Sequence, residues 1–78
     1  MKRLSGLNRG DMGRVKEIPA AGGMQRRLMD LGLTEGAAVE CLFAAPGGGM
    51  RAYRVRKAVV ALRNADAAKV YLEETGHE

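Results

Sequence analysis

Only one stretch of this chain has the period of a helix, and it is short. Met24, Leu28 and Leu31 stand at i, i+4 and i+7, a single stripe, with Gln25, Arg26, Arg27 and Asp30 outside or beside it. The spacing predicts a helix within residues 22–32. Gly32 falls at the position where a left-handed residue ends a helix, and Leu33 follows where it packs back on the last turn. No Ser, Thr, Asp or Asn caps the start. The remaining apolar residues come in short runs at 14–18, 38–43, 51–56, 59–63 and 70–73, which read as strands. Parallel strands need a crossover helix between them, and no helical period recurs between the later strands. The content predicts an all-β fold with an inserted helix: a small, strongly bent antiparallel sheet closed into a partial barrel.

Breaker residues punctuate these strands. Gly10 and Gly13 sit in a turn-rich opening, Pro19 ends the first strand, and Thr34-Glu35-Gly36 returns the chain after the helix. Imperfect alternation in 14–18 makes room for a bulge. Pro46-Gly47-Gly48-Gly49 reads as a hairpin loop, and Lys57-Ala58 as a tight connection. Asn64 is placed to cap a helical turn carrying Ala67 and Ala68 against the core. Alternation puts Val39, Cys41 and Phe43 on one face of their strand, and Tyr53 and Val55 opposite Arg54 and Arg56. The expected core is Val15, Ile18, Leu28, Leu31, Val39, Val55, Leu62, Val70 and Leu72. Residues 74–78 offer little to bury, so the expected domain is 1–73 with a frayed tail.

At 78 residues this is one domain with a small core, and self-association is a further expectation for its stability. Cys41 stands alone, which excludes an internal disulfide and a cysteine zinc cluster; in a hydrophobic strand it reads as a buried, inert thiol. No apolar run resembles a signal peptide or approaches the length of a membrane span, and the single thiol is compatible with a reducing cytosol. Charge is segregated. Residues 51–63 carry Arg51, Arg54, Arg56, Lys57 and Arg63 without an acid, whereas 73–78 carry three glutamates and no Lys or Arg. A basic face of this kind suits nucleic acid, phospholipid headgroups or an acidic protein; the solvated positions of a small fold account for it equally.

Catalytic chemistry is hard to place. The one histidine, His77, lies in the expected tail, and no nucleophile–base pair falls on ordered elements. Asp11, Asp30 and Asp66 are far apart in sequence. The glycine run at 47–49 lacks the Lys-Ser or Lys-Thr of a phosphate loop and precedes a strand instead of a helix. No metal or cofactor is expected, a weak site from His77 and the terminal glutamates being the one arrangement weighed. Gly10 and Gly13, spaced G-x-x-G before Val15, resemble a turn in small RNA-binding barrels, but three aromatics give thin support for stacking bases.

The combination of Leu7-x-x-Gly10-x-x-Gly13-x-Val15, then Arg27-Leu28-Met29-Asp30-Leu31-Gly32-Leu33-Thr34-Glu35-Gly36, then Ala61-Leu62-Arg63 with Ala67-Ala68 and Val70, closely resembles the FeoA family. The resemblance spans residues 4–73. It implies an SH3-like β-barrel, shared with the C-terminal domain of iron-dependent repressors, and an accessory role in bacterial ferrous iron uptake. The implied partner is the cytoplasmic G domain of the FeoB-type membrane transporter, reached in the cytoplasm without membrane insertion. Two departures stand out: glycines and Met50 follow Pro46 where Gly-Asp-Pro is common, and Lys57 replaces a frequent turn glycine. The expected partner-binding residues are Arg26, Arg27, Arg54 and Arg56, with Gly10, Gly13, Gly32 and Gly36 as structural turns. A small nucleic-acid-binding or peptide-binding regulatory module is the alternative, with nucleic acid the less favoured partner.

The purified chain is expected to hydrolyse neither GTP nor ATP. Phosphate release that disappears on a point substitution in this chain would overturn that expectation; contaminating activity would not respond.

Overall fold

The computed structural model describes residues 2–20 and 22–74. Five strands alternate with little else: β1 (Met12–Glu17), β2 (Ala38–Ala44), β3 (Met50–Val55), β4 (Ala58–Arg63) and β5 (Tyr71–Leu72). Helix α1 (Gly23–Asp30) is inserted between β1 and β2, and a single turn, α2 (Asn64–Ala67), joins β4 to β5. The sheet order is β4-β3-β2-β1-β5, antiparallel at every pairing. It is the bent antiparallel sheet with one helix that the period change predicts.

The exit of α1 sets its position. Leu33 N–H bonds the Leu28 carbonyl at 3.2 Å and Gly32 N–H bonds that of Met29 at 2.9 Å, the two bonds of a Schellman cap. Gly32 has φ +103°, and a Cβ there would meet Val55 Cγ1 at 3.2 Å. The positive φ favours glycine, and a Cβ would in addition crowd Val55. At the other end no side chain caps the helix. Instead Gln25 Nε2 donates to the Ile18 carbonyl at 2.8 Å and ties the first turn to the end of the β1 segment.

The core gathers Val15, Ile18, Leu28, Val39, Val55, Leu62, Val70 and Leu72, as alternation and period imply. Leu31 differs: it is half-buried and packs against the rim, because Leu33, carried inward by the cap, takes the central place. Leu4, Leu7 and Tyr53 are also fully buried. A short 3-10 turn, Leu4–Gly6, lays the first two of these leucines across the barrel. Arg51 Nη1 secures it by donating to the carbonyls of Ser5 (2.5 Å) and Leu7 (2.8 Å).

Local details depart from the sequence expectation for identifiable reasons. A register shift between Cys41 and Phe43 turns Phe43 out of the core face and leaves it 53% exposed. The bulge expected in the first strand lies between Val15 and Glu17, against β5. Gly13 is not a turn; it lies within β1, where a Cβ would stand 2.9 Å from Leu72 Cδ1, so close strand packing is what it permits. Gly10 and Gly36 do occupy turns, with φ +89° and +85°. Asn64 does not cap α2: Arg63 is at the cap position, and Asn64 Nδ2 donates to the Gly48 carbonyl across the hairpin loop. In the β3–β4 turn the left-handed residue is Arg56 (φ +58°), not Lys57. The expected tail lies outside the described residues except for Glu74, which is exposed.

Leu28→Ala removes a fully buried side chain and is expected to cost about 2–4 kcal/mol, read by denaturant titration; Leu31→Ala, at the rim, is expected to cost less than half as much. Gly32→Ala is expected to lose about 1–2 kcal/mol from the left-handed backbone before any clash with Val55 is added. An unchanged melting curve for Gly32→Ala would contradict the cap.

Candidate functional site

Strand pairing lines up the outward residues of four strands. Met12 stands opposite Glu40, Glu40 opposite Arg54, and Arg54 opposite Val59. One step along, Arg14 faces Ala38, and Arg56 follows at the end of β3. Met12, Arg14, Ala38, Glu40, Arg54 and Arg56 thereby line a single groove across β1, β2 and β3. Three guanidinium groups and one carboxylate leave this groove strongly positive.

Each arginine is held by one bond. Arg14 Nη1 donates to the Gly36 carbonyl at 2.7 Å, so the turn after α1 positions it. Arg54 Nη1 donates to Glu40 Oε1 at 3.2 Å in an exposed cross-strand ion pair, which orients the side chain and adds little stability. Arg56 Nη2 donates to Thr34 Oγ1 at 2.7 Å. A guanidinium has five donors, so most of this capacity remains for a carboxylate or another oxyanion. Met12, 64% exposed, adds an apolar lip.

Arg26 and Arg27 are both exposed on α1, Arg26 on the side away from the Leu28 stripe and Arg27 flanking it. Arg27 lines a different groove, between α1 and β4, with Met24, Leu28, Arg63 and Asp66. The four predicted arginines are therefore not one patch: Arg54 and Arg56 share a groove with Arg14, and Arg27 belongs elsewhere. Sequence reasoning missed Arg14 and Met12 as members of this surface. Alternation with buried Val15 marks Arg14 as outward, but only strand register puts it beside Arg56.

No group of three or more His, Cys, Asp or Glu suited to a metal ion occurs among the described residues, and His77 lies outside them. Cys41 is buried. No helix among the described residues is long and apolar enough to cross a membrane. Behind the arginine groove, on the inner face of β3, Tyr53 is fully buried and makes a long hydrogen bond of 3.4 Å to the Leu4 carbonyl. Burial pushes its hydroxyl pKa up, reinforced by the neighbouring Cys41 and opposed by Arg51.

The sequence model of the FeoA domain matches residues 2–74, all but the extremities of the chain. The chain belongs to the FeoA family. Solved FeoA structures share its fold. The FeoA protein of Chlorobium tepidum is 32% identical, with a TM-score of 0.84 over 96% of this chain and 75% of that one. The FeoA of Stenotrophomonas maltophilia, solved with zinc and described as a prokaryotic SH3 domain protein and candidate ferrous iron transport activating factor, is 27% identical. Its TM-score is 0.83, over 94% of this chain and 91% of that one. A manganese-dependent transcriptional repressor shares the fold alone, at 23% identity and a TM-score of 0.83, over 92% of this chain and 40% of its own. No match was found among curated proteins. The architecture is thus that of the FeoA SH3-like barrel, found also within metal-dependent repressors.

The raised pKa of Tyr53 has a defined sign. The folded state holds the phenolic proton more tightly than the unfolded chain, whose tyrosine titrates near 10.0. The corresponding stability is fully present below about pH 10 and is lost as pH rises through the folded pKa. Tyr53→Phe is expected to flatten the alkaline limb of a plot of melting temperature against pH. An identical limb for both proteins would refute this assignment.

Proposed function

We propose that this chain is a non-catalytic accessory protein of ferrous iron uptake that works in the cytoplasm by docking on the G domain of a FeoB-type transporter. The family match across residues 2–74 carries the reading, and the description of the Stenotrophomonas maltophilia relative as a candidate ferrous iron transport activating factor agrees with it. The arginine groove supplies a physical means. Arg54 and Arg56, joined by Arg14, present anchored guanidinium groups to solvent on a rigid sheet. Such groups recognise carboxylates on a protein surface and raise the rate of encounter more than the final affinity. Arg26 and Arg27 on α1 form a second arm of the proposed interface.

Nucleic acid recognition has less support. Tyr53 is buried, Tyr71 is half-buried with Arg3 over its ring at 5.1 Å, and Phe43 is left as the one well-exposed aromatic among the described residues. Stacking of successive bases needs more than that.

Calorimetry against a purified FeoB-type G domain tests the two arms separately. Arg54→Gln with Arg56→Gln removes two charges without setting a second carboxylate beside Glu40. It is expected to weaken binding at least tenfold, about 1.4 kcal/mol, with the melting temperature little changed. Arg26→Glu with Arg27→Glu reads the helical arm. Unchanged affinity in both would reject the proposed surface, and salt-sensitive RNA binding without G-domain affinity would replace the reading.

A further inference from the structure

The sheet has two edges, and they are not alike. β5 is only two residues long, and residues 2–4 already pair along its outer side. β4 is six residues long, pairs on one side alone among the described residues, and keeps a constant register with β3 from Val55↔Ala58 to Met50↔Arg63. The phase of that ladder is fixed by the bond from Asn64 N–H to the Gly49 carbonyl at 3.0 Å. Hydrogen-bonded pairs alternate along an antiparallel ladder. Counting back by twos, Leu62, Val60 and Ala58 turn their amides and carbonyls toward β3. Val59, Ala61 and Arg63 turn theirs away from it. Arg63, at the cap position of α2, gives its carbonyl to that helix; among the described residues nothing takes the Arg63 amide or the outward groups of Val59 and Ala61.

Natural edges are normally blunted by proline, a bulge or a mid-strand charge. From Ala58 to Leu62 this strand has none of the three. Next to its second half, α1 forms the far wall of a slot: Met24 and Leu28 face Leu62 across it, and Arg27 and Arg63 stand at its rim. Asp66, the one acid there, already pairs with Lys69 at 3.7 Å. A strand edge beside a helix, with a mostly polar slot whose apolar part is Met24 and Met50 over buried Leu28 and Leu62, and with two exposed cations, has the parts needed for peptide capture by strand addition.

We propose that an extended, acidic segment of a protein partner binds as a sixth strand on β4. Its backbone pairs with Ala61 and with the Arg63 amide, an apolar side chain rests on Met24 and Met50 in the slot, and its carboxylates meet Arg27 and Arg63. Charge decides the occupant. A second copy would bring the cations Arg27 and Arg63 of both chains to one seam, whereas an acidic segment neutralises them. The inference does not rest on the transporter reading: it shares Arg27 with the helical arm of that interface, but the β4 edge at Ala61 and Arg63, which Ala61→Pro tests, lies outside both arms.

The test selects displayed random heptapeptides against the purified chain and follows the chosen peptide by hydrogen exchange. Ala61 and Arg63 amides are expected to slow about tenfold or more on binding, while Val60 and Leu62, already bonded to β3, change little. Selected sequences are expected to be rich in β-branched and acidic residues. Ala61→Pro removes an outward amide that serves no internal bond and is expected to abolish binding. Arg27→Glu with Arg63→Glu leaves the backbone intact and is expected to weaken binding at least tenfold, about 1.4 kcal/mol. Peptides that leave the Ala61 and Arg63 amides unprotected, that lack an acidic bias, or that cannot be obtained at all overturn the proposal. So does protection of the same amides that grows with chain concentration in the absence of peptide, since a second copy would then hold the edge.

Discussion

Arg51 and Tyr53 reach inward from β3 to the carbonyl oxygens of Leu4, Ser5 and Leu7, and closure of the barrel rests on those bonds. The segment they hold crosses one end of the sheet as a 3-10 turn, a conformation that leaves carbonyls without ladder partners. A buried carbonyl without a donor costs about 1–3 kcal/mol; Arg51 supplies the donor for Ser5 and Leu7, while the Leu4 carbonyl also accepts from the Leu7 N–H at 3.2 Å. With the donors in place, Leu4 and Leu7 become fully buried core residues. The arginine thus acts as structure, despite lying in a basic run whose other members face solvent. In so small a domain these two leucines are a sizeable share of the apolar contacts.

The same economy appears at the exit of α1. Gly32 brings the helix against Val55, Leu33 drops into the core, and Thr34 receives Arg56 from the β3–β4 turn. Gly36 then offers its carbonyl to Arg14. One short turn therefore positions two of the three arginines in the groove and also sets the helix that forms the slot beside β4. The barrel displays two chemically distinct surfaces, one across the outer faces of β1 to β3 and one along the β4 edge. Both depend on the turn between Gly32 and Gly36.

Elements with a strong period were legible in the sequence. The Met24–Leu28–Leu31 stripe followed by Gly32 located the helix and its cap, and alternation at Tyr53 and Val55 oriented β3. What escaped depended on register or on distant partners. The bulge that exposes Phe43 leaves no mark in a run as uniform as Ala38–Ala44. Leu4 and Leu7 sit among turn residues and are buried only because Arg51, 44 or more positions away, binds the carbonyls beside them. The arginine groove was half legible: Arg54 and Arg56 alternate with core residues, but pairing alone brings in Arg14 and excludes Arg27.

The two ends of the described chain are stitched together. Leu72 N–H bonds the Lys2 carbonyl and Leu4 N–H bonds that of Val70, both at 2.9 Å, and Arg3 pairs with Tyr71. During synthesis, residues 2–4 therefore wait for residues 70–72 before their amides and carbonyls find partners. Helix α1 and the β2–β3–β4 meander can form from local contacts first, and the barrel shuts last, the order that high sequence separation imposes on folding. The juxtaposed ends also make the chain topologically close to a ring. A permuted gene that joins them with a short linker and opens the exposed glycine loop at 47–49 would keep every strand neighbour while turning the slowest contact into a local one.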